Sequence, residues 1–131
     1  MNKTAIQVDY HQAKNLGYQL INKGDHFGLF LLISLETGMR ANDVLKLEKR
    51  NFIKLEDLDT YLIFFRALKS KKTATRPISK YAYNLVMEKE TNAIFYNMKY
   101  RCKYSHNWAS RKMKEHFSEY INIAKKNELN V

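Results

Sequence analysis

Apolar residues recur along most of the chain at helical spacing. After a short polar start, Ala13, Leu16, Leu20 and Ile21 repeat every three or four positions, and Asp9 precedes them as a capping carboxylate. The pattern predicts a helix to about Asn22, broken at Lys23-Gly24-Asp25, with Gly24 suited to the left-handed position past a helix end. Asp25 then caps a second helix to about Thr37. From Phe27 to Leu35 that helix reads Phe-Gly-Leu-Phe-Leu-Leu-Ile-Ser-Leu, apolar around its whole circumference, so it must lie inside the domain. Gly38 ends it, and a short third helix carries Ala41, Val44, Leu45 and Leu47.

The pattern then changes. Thr60 to Leu68 holds Tyr61, Leu62, Ile63, Phe64 and Phe65, too short for a good helix and rich in strand formers, and predicts a strand. Ser70 to Thr75 is a polar, basic turn after which Arg76-Pro77-Ile78 can pair back as the second arm of a hairpin; with no glycine there, the turn type stays open. Ser79 caps a fourth helix through about Lys89, with Tyr83, Val86 and Met87 apolar, and Ala93 to Tyr96 is a short apolar connection. Ser105 caps a long last helix. Ala109, Met113, Phe117, Tyr120, Ile121 and Ala124 form one of its faces, and Arg111, Lys114 and Ser118 lie on the other. No repeat, linker or low-complexity segment interrupts the chain, so residues 1–131 are expected to form a single domain, mainly α with a small β-hairpin or sheet, of the α+β class.

Composition agrees. Four glycines and one proline disfavour a many-stranded sandwich, and 45% hydrophobic residues are enough for a core without staples. The formal charge of +10 creates a field that recruits polyanions, although a Lys-rich soluble protein without such a partner has the same total. Placement says more. Six bases and no acid fall between Arg66 and Lys80, and six more with no acid between Lys99 and Lys114, as expected of a surface that tracks phosphates. The lone Cys102 permits no internal disulfide, and no basic-then-apolar leader is visible, which together point to a cytoplasmic protein. The longest apolar run, Phe27 to Leu35, is too short to span a bilayer. His11, His26, His106 and His116 lack metal-ligand spacing, so neither a metal nor any other cofactor is expected.

Two short segments carry candidate chemistry. Thr37-Gly38-Met39-Arg40-Ala41-Asn42-Asp43 directly follows the buried helix and opens a short one. Arg40 therefore sits near a helix N-terminus, where backbone amides and a guanidinium can converge on one phosphate, the guanidinium holding two oxygens at once. Alone, Arg40 is as readily an ordinary solvent-facing arginine after a glycine cap. Lys71-Lys72-Thr73 lies at the expected hairpin tip, where a lysine can reach a groove and deliver a proton, or merely solubilise a turn.

Taken in order, these segments resemble the tyrosine recombinases, the phage-integrase family. The resemblance runs through Leu31 to Leu35, Thr37-Gly38-Met39-Arg40, Val44-Leu45-Lys46-Leu47, Tyr61 to Leu68, Lys72-Thr73 and Ile78-Ser79, and covers roughly residues 5 to 125. Asp43 stands where the family usually has a glutamate. The resemblance implies a partial integrase-like catalytic domain, incomplete at its C-terminus, working in site-specific recombination and DNA integration. It also implies that Arg40 holds the scissile phosphate and that Lys72 (or Lys71, if the register slips) is the general acid for the departing 5′ hydroxyl. No metal is required. The family's H-x-x-R motif and nucleophilic tyrosine are not found; His106-Asn107-Trp108-Ala109-Ser110-Arg111 has the wrong spacing, and Tyr120 belongs to an apolar helix face. Strand cleavage is therefore not expected of this segment alone.

The expected partner is double-stranded DNA, contacted through phosphates by Arg40, Lys69, Lys71, Arg76, Arg111 and Lys114, with a complementing recombinase segment or protomer as a further partner. Phe95, Tyr96, Tyr100, Tyr104 and Trp108, interleaved with Lys99, Arg101 and Lys103, suit core packing better than stacking on single strands. A non-catalytic adaptor that binds protein through an apolar face is the alternative of a different class, and an RNA-binding module a further one.

Overall fold

The structure, a computed structural model, describes residues 9–129, with side chains through Phe117. The first two predicted N-caps form. Asp9 Oδ1 accepts the amides of His11 and Gln12 at 2.9 and 3.2 Å and opens α1 (Tyr10–Asn22); Asp25 Oδ1 accepts the Phe27 amide at 2.9 Å and opens α2 (His26–Thr37). Gly24 and Gly38 take the left-handed conformation, with φ of 78° and 68°. Every residue from Phe27 to Ile33 is buried, so α2 is the central helix that its apolar circumference requires. It meets α1 through glycines: a Cβ on Gly28 would lie 2.7 Å from both the Gly17 carbonyl oxygen and the Ile21 nitrogen. The two backbones touch.

A short α3 (Ala41–Leu45) follows, and Leu47 lies beyond its end, where its carbonyl accepts the Ile94 amide. A 3-10 turn at Lys49–Asn51 leads into an antiparallel sheet of β1 (Phe52–Leu55), β2 (Thr60–Arg66) and β3 (Thr73–Pro77), in that order. On β2, Tyr61, Ile63 and Phe65 are buried while Phe64 and Arg66 are exposed, the alternation of a strand with one face on the core. β1 is not visible in the sequence, because Phe52 is its only buried residue and four residues are too few to show a period. The hairpin turn lies three residues earlier than expected. Its turn is Ala67 to Lys72, closed by bonds from the Ala67 amide to the Lys72 carbonyl and from the Lys71 amide to the Ala67 carbonyl, both 2.9 Å. Lys71 (φ 59°) supplies the left-handed backbone usually left to glycine, and the second arm therefore begins at Thr73 rather than Arg76.

Ser79 caps α4 (Lys80–Met87), which stops two residues before Lys89. The connection after it is not plain: β4 (Tyr96–Asn97) pairs with β5 (Cys102–Lys103) as a second hairpin. Residues His106–Leu129 form α5, whose helical backbone is interrupted at Phe117 (φ −122°, ψ 22°). Ser105 Oγ accepts the Trp108 amide at 3.2 Å as its cap. Trp108 is clamped edge-on by Phe27 and Phe30 and stacked on Tyr104 at 4.2 Å, while Phe95 packs against Phe30. These aromatics join α5 and the second hairpin to α2, as core packing requires. Tyr100 alone of that aromatic group is fully exposed. The expected positions of Ser118, Tyr120, Ile121 and Ala124 fall outside the described side chains. Among the described residues, no helix is long and apolar enough to cross a membrane.

Candidate nucleic-acid interface

The Thr37-Gly38-Met39-Arg40 segment lies at the end of the buried helix α2. Thr37 Oγ1 donates to the Ile33 carbonyl at 2.7 Å and accepts the Met39 amide at 3.1 Å, bridging both sides of the left-handed Gly38. Met39 is buried, which anchors the chain, and the next residue is turned outward. Arg40 is exposed, and its guanidinium has no hydrogen bond or ion pair among the described residues. Arg40 is the N-cap of α3, and its carbonyl accepts the Val44 amide at 3.0 Å. Arg40 thus stands at the start of a short helix, as its sequence context predicts, although α3 is only five residues long and carries Asp43 in its first turn.

The β2–β3 hairpin brings further cations beside it. Strand register sets Ala74 opposite Phe65 and Arg76 opposite Ile63, so Ala74 and Arg76 share the face of the inward β2 residues. Lys72 continues that period at the turn. Arg40, Lys69, Lys72 and Arg76 thus line one cleft of about 530 Å³, with Phe65 and Ala74 among its apolar walls. The Arg76 guanidinium carbon stands 5.8 Å from the Phe65 ring centre, and its Nη1 donates to the Thr75 carbonyl at 3.1 Å, which fixes the head group.

Asp43 connects the two halves. It is 7% exposed, and its Oδ1 accepts the amide of Leu68, in the hairpin turn, at 2.9 Å. The turn carrying Lys69 and Lys72 is thereby tied to the helix that Arg40 opens. Sequence reasoning noted Asp43 only for its place in a family pattern. A signal was present, because Met39, Asp43 and Leu47 follow at intervals of four and Met39 and Leu47 are both core. A second brace lies behind the cleft: Glu36 accepts from the Ser79 amide at 2.7 Å and the Ser79 hydroxyl at 2.9 Å, holding the end of β3 and the start of α4 to the last turn of α2.

The other candidates are dispersed. Lys71 is exposed but does not line the cleft; its carbonyl accepts Arg66 Nε at 3.0 Å. Lys114 borders a separate, mostly apolar groove of about 490 Å³ between α2 and α5, with Phe30, Leu35 and Met113. Arg111 is exposed on α5 and lines neither. His106, set aside on spacing, lies close to Arg40: the two line a smaller cleft of about 250 Å³ together with Asn42 and Lys69. Nothing in the sequence announces that approach across more than sixty residues.

Away from this surface, His26 and Lys89 meet at 3.1 Å, with the Lys89 ammonium donating to His26 Nδ1. Burial, then the Lys89 charge, hold the His26 imidazole below its ordinary 6.5, and Asp25 pulls the other way. Burial likewise lowers Lys89. This contact joins α2 to the end of α4 and serves the fold.

No family model matches the chain, and no curated protein matches it. Among solved structures, the chain is similar to the XerH site-specific recombinase, crystallised with its difH substrate as a pre-cleavage complex, with a TM-score of 0.60 and 16% sequence identity. The similarity covers 94% of this chain and 38% of that one, so the chain spans well under half of the recombinase's length. The chain is an α+β fold similar to the matching part of that recombinase.

Proposed function

We propose that this protein binds the sugar–phosphate backbone of double-stranded DNA through the Arg40 cleft, as the backbone-gripping part of a recombinase-like assembly. The observation that carries this reading is the gathering of Arg40, Lys69, Lys72 and Arg76 around one cleft, where Asp43 is the only acid and is itself engaged with the Leu68 amide. Guanidinium forks suit phosphate oxygens, and cations without an acidic partner among the described residues suit a mobile polyanion. The fold it shares with a recombinase crystallised on its substrate supports the same reading. In that reading Arg40 holds a phosphate and offsets charge on it, and Lys72 is placed to give a proton to a leaving oxygen. Breaking and rejoining strands also needs a nucleophile, which this reading assigns to a complementing recombinase segment or protomer. The apolar α2–α5 groove supports such a partner, since it leaves Leu35 and Met113 only partly buried.

The test is a gel-shift titration on random duplex DNA at two salt concentrations, with wild type and Arg40→Ala. Four phosphate contacts predict an affinity loss of about 10²-fold between 50 and 200 mM salt. Arg40→Ala should weaken binding by roughly 10- to 100-fold and flatten the salt slope by about one unit. Undiminished affinity in the variant would remove Arg40 from the site, and salt-insensitive binding would favour apolar docking of a protein partner instead.

A further inference from the structure

We propose that a second phosphodiester site adjoins the first, on the far side of Arg40, with Asn42 and His106 as its own ligands; the inference rests on the DNA-backbone reading above. Arg40 and Lys69 line both the larger cleft and the smaller one of about 250 Å³, so they form a ridge shared between two concavities. Lys72 and Arg76 belong to one side of that ridge, and Asn42 and His106 to the other. Discrete anions would need one such hollow. A polymer with a phosphate at every step needs a row of them, and a fork of five N–H donors on the ridge can serve neighbours on both sides.

The ligands on the far side have the right chemistry and are unspent. Asn42 and His106 are both exposed, and the Asn42 side chain has no hydrogen bond among the described residues. The His106 ring has one long contact, Nδ1 to Ser110 Oγ at 3.5 Å, which leaves Nε2 uncommitted. An amide and an imidazole N–H donate to phosphate without the tight hydration of an ammonium. Asp43 also borders this hollow, but it is 7% exposed and its Oδ1 is turned to the Leu68 amide. His106 comes from the start of α5 and Asn42 from α3, so the hollow exists only because α5 docks beside α3.

The experiment uses the full chain and a short duplex in which single phosphates are replaced, one at a time, by neutral methylphosphonates. Among the sensitive phosphates of wild type, two should be adjacent on one strand, one at each side of the Arg40 ridge. In Asn42→Ala/His106→Ala, affinity should fall roughly tenfold, and one of the two positions should become indifferent to neutralisation while the other stays sensitive. His106→Gln, which keeps a donor, should retain most of the affinity in the presence of Asn42. If wild type binds and Arg40→Ala does not, yet the double variant keeps both sensitive phosphates and full affinity, the second site is wrong and the first stands. If wild type shows no binding, or Arg40→Ala binds equally well, both fall together. Circular dichroism of the double variant should match wild type, since neither side chain is buried.

Discussion

Replacing Asp43 perturbs two things at once, the hairpin's tether and the charge of the cleft, and two variants separate them. In Asp43→Ala the Leu68 amide loses an anionic acceptor at 2.9 Å. A hydrogen bond to a charged group contributes about 1.5–3 kcal/mol, against a total stability on the order of 5–15 kcal/mol for a domain. The melting temperature should fall by roughly 6–10 °C. The electrostatic effect has the opposite sign. For a phosphate bound at an assumed distance of roughly 6 Å, the carboxylate would repel it by about 0.7 kcal/mol even in a water-like dielectric, so its removal alone should tighten DNA binding by at least about threefold. Asp43→Asn removes the charge and keeps the Oδ1 acceptor, and a neutral bond contributes about 0.5–1.5 kcal/mol. It should therefore keep much of the stability and bind duplex DNA more tightly than wild type. Asp43→Ala frees the turn that carries Lys69 and Lys72, so it should bind more weakly than Asp43→Asn despite equal charge.

Amide hydrogen exchange gives the direct readout, because Leu68 should lose protection in the alanine variant and retain most of it in the asparagine variant. Unchanged Leu68 exchange in Asp43→Ala, or equal DNA affinity of the two variants, would refute the tether.

Two further predictions concern the frame behind the site. Gly28→Ala must separate α1 from α2, because the added carbon would lie 2.7 Å from two backbone atoms of α1, and overpacking of this kind costs about 1–3 kcal/mol; a denaturant midpoint equal to wild type would show that the helices do not touch. The His26–Lys89 contact makes stability depend on pH, since the folded imidazole is held below 6.5 and the unfolded chain binds the proton first. Its contribution is complete above 6.5 and is lost as pH falls from there through the lowered folded value. His26→Gln, which keeps an acceptor for Lys89 Nζ, should flatten the decline in melting temperature between about pH 7.5 and about pH 5.5, and parallel curves would show that another group causes it.

What could be read from the sequence divides by the range of the interaction. Caps and helix ends are local, and Asp9, Asp25, Gly24 and Gly38 all act where their neighbours predict. The burial of α2 follows from its own composition. The left-handed Lys71 and the strand Phe52–Leu55 were not legible, because a lysine gives no hint of positive φ and β1 gains its structure only by pairing with β2. Within the cleft the same rule holds. Thr37 and Gly38 aim Arg40 by bonds within six residues, so the motif was visible. The bond from Leu68 to Asp43 spans 25 residues, and His106 reaches the Arg40 ridge only through the docking of α5.

That division also bears on why the cleft has the charge it has. Among the described side chains the ion pairs are Arg50 with Glu48 and Lys112 with Glu115, and neither involves a base of the cleft. In a chain of net +10, four cations held together by local bonds and two long-range tethers repel one another in the free protein. Folding alone gains nothing from that arrangement; surface pairs would have been available by placing acids in the 66–80 stretch, which has none. The braces at Thr37, Asp43 and Glu36 therefore hold the bases against their own repulsion, and the polyanion proposed above would relieve it. Added salt must then act with opposite sign on the two states, screening the repulsion in the free protein and competing with the phosphates in the complex.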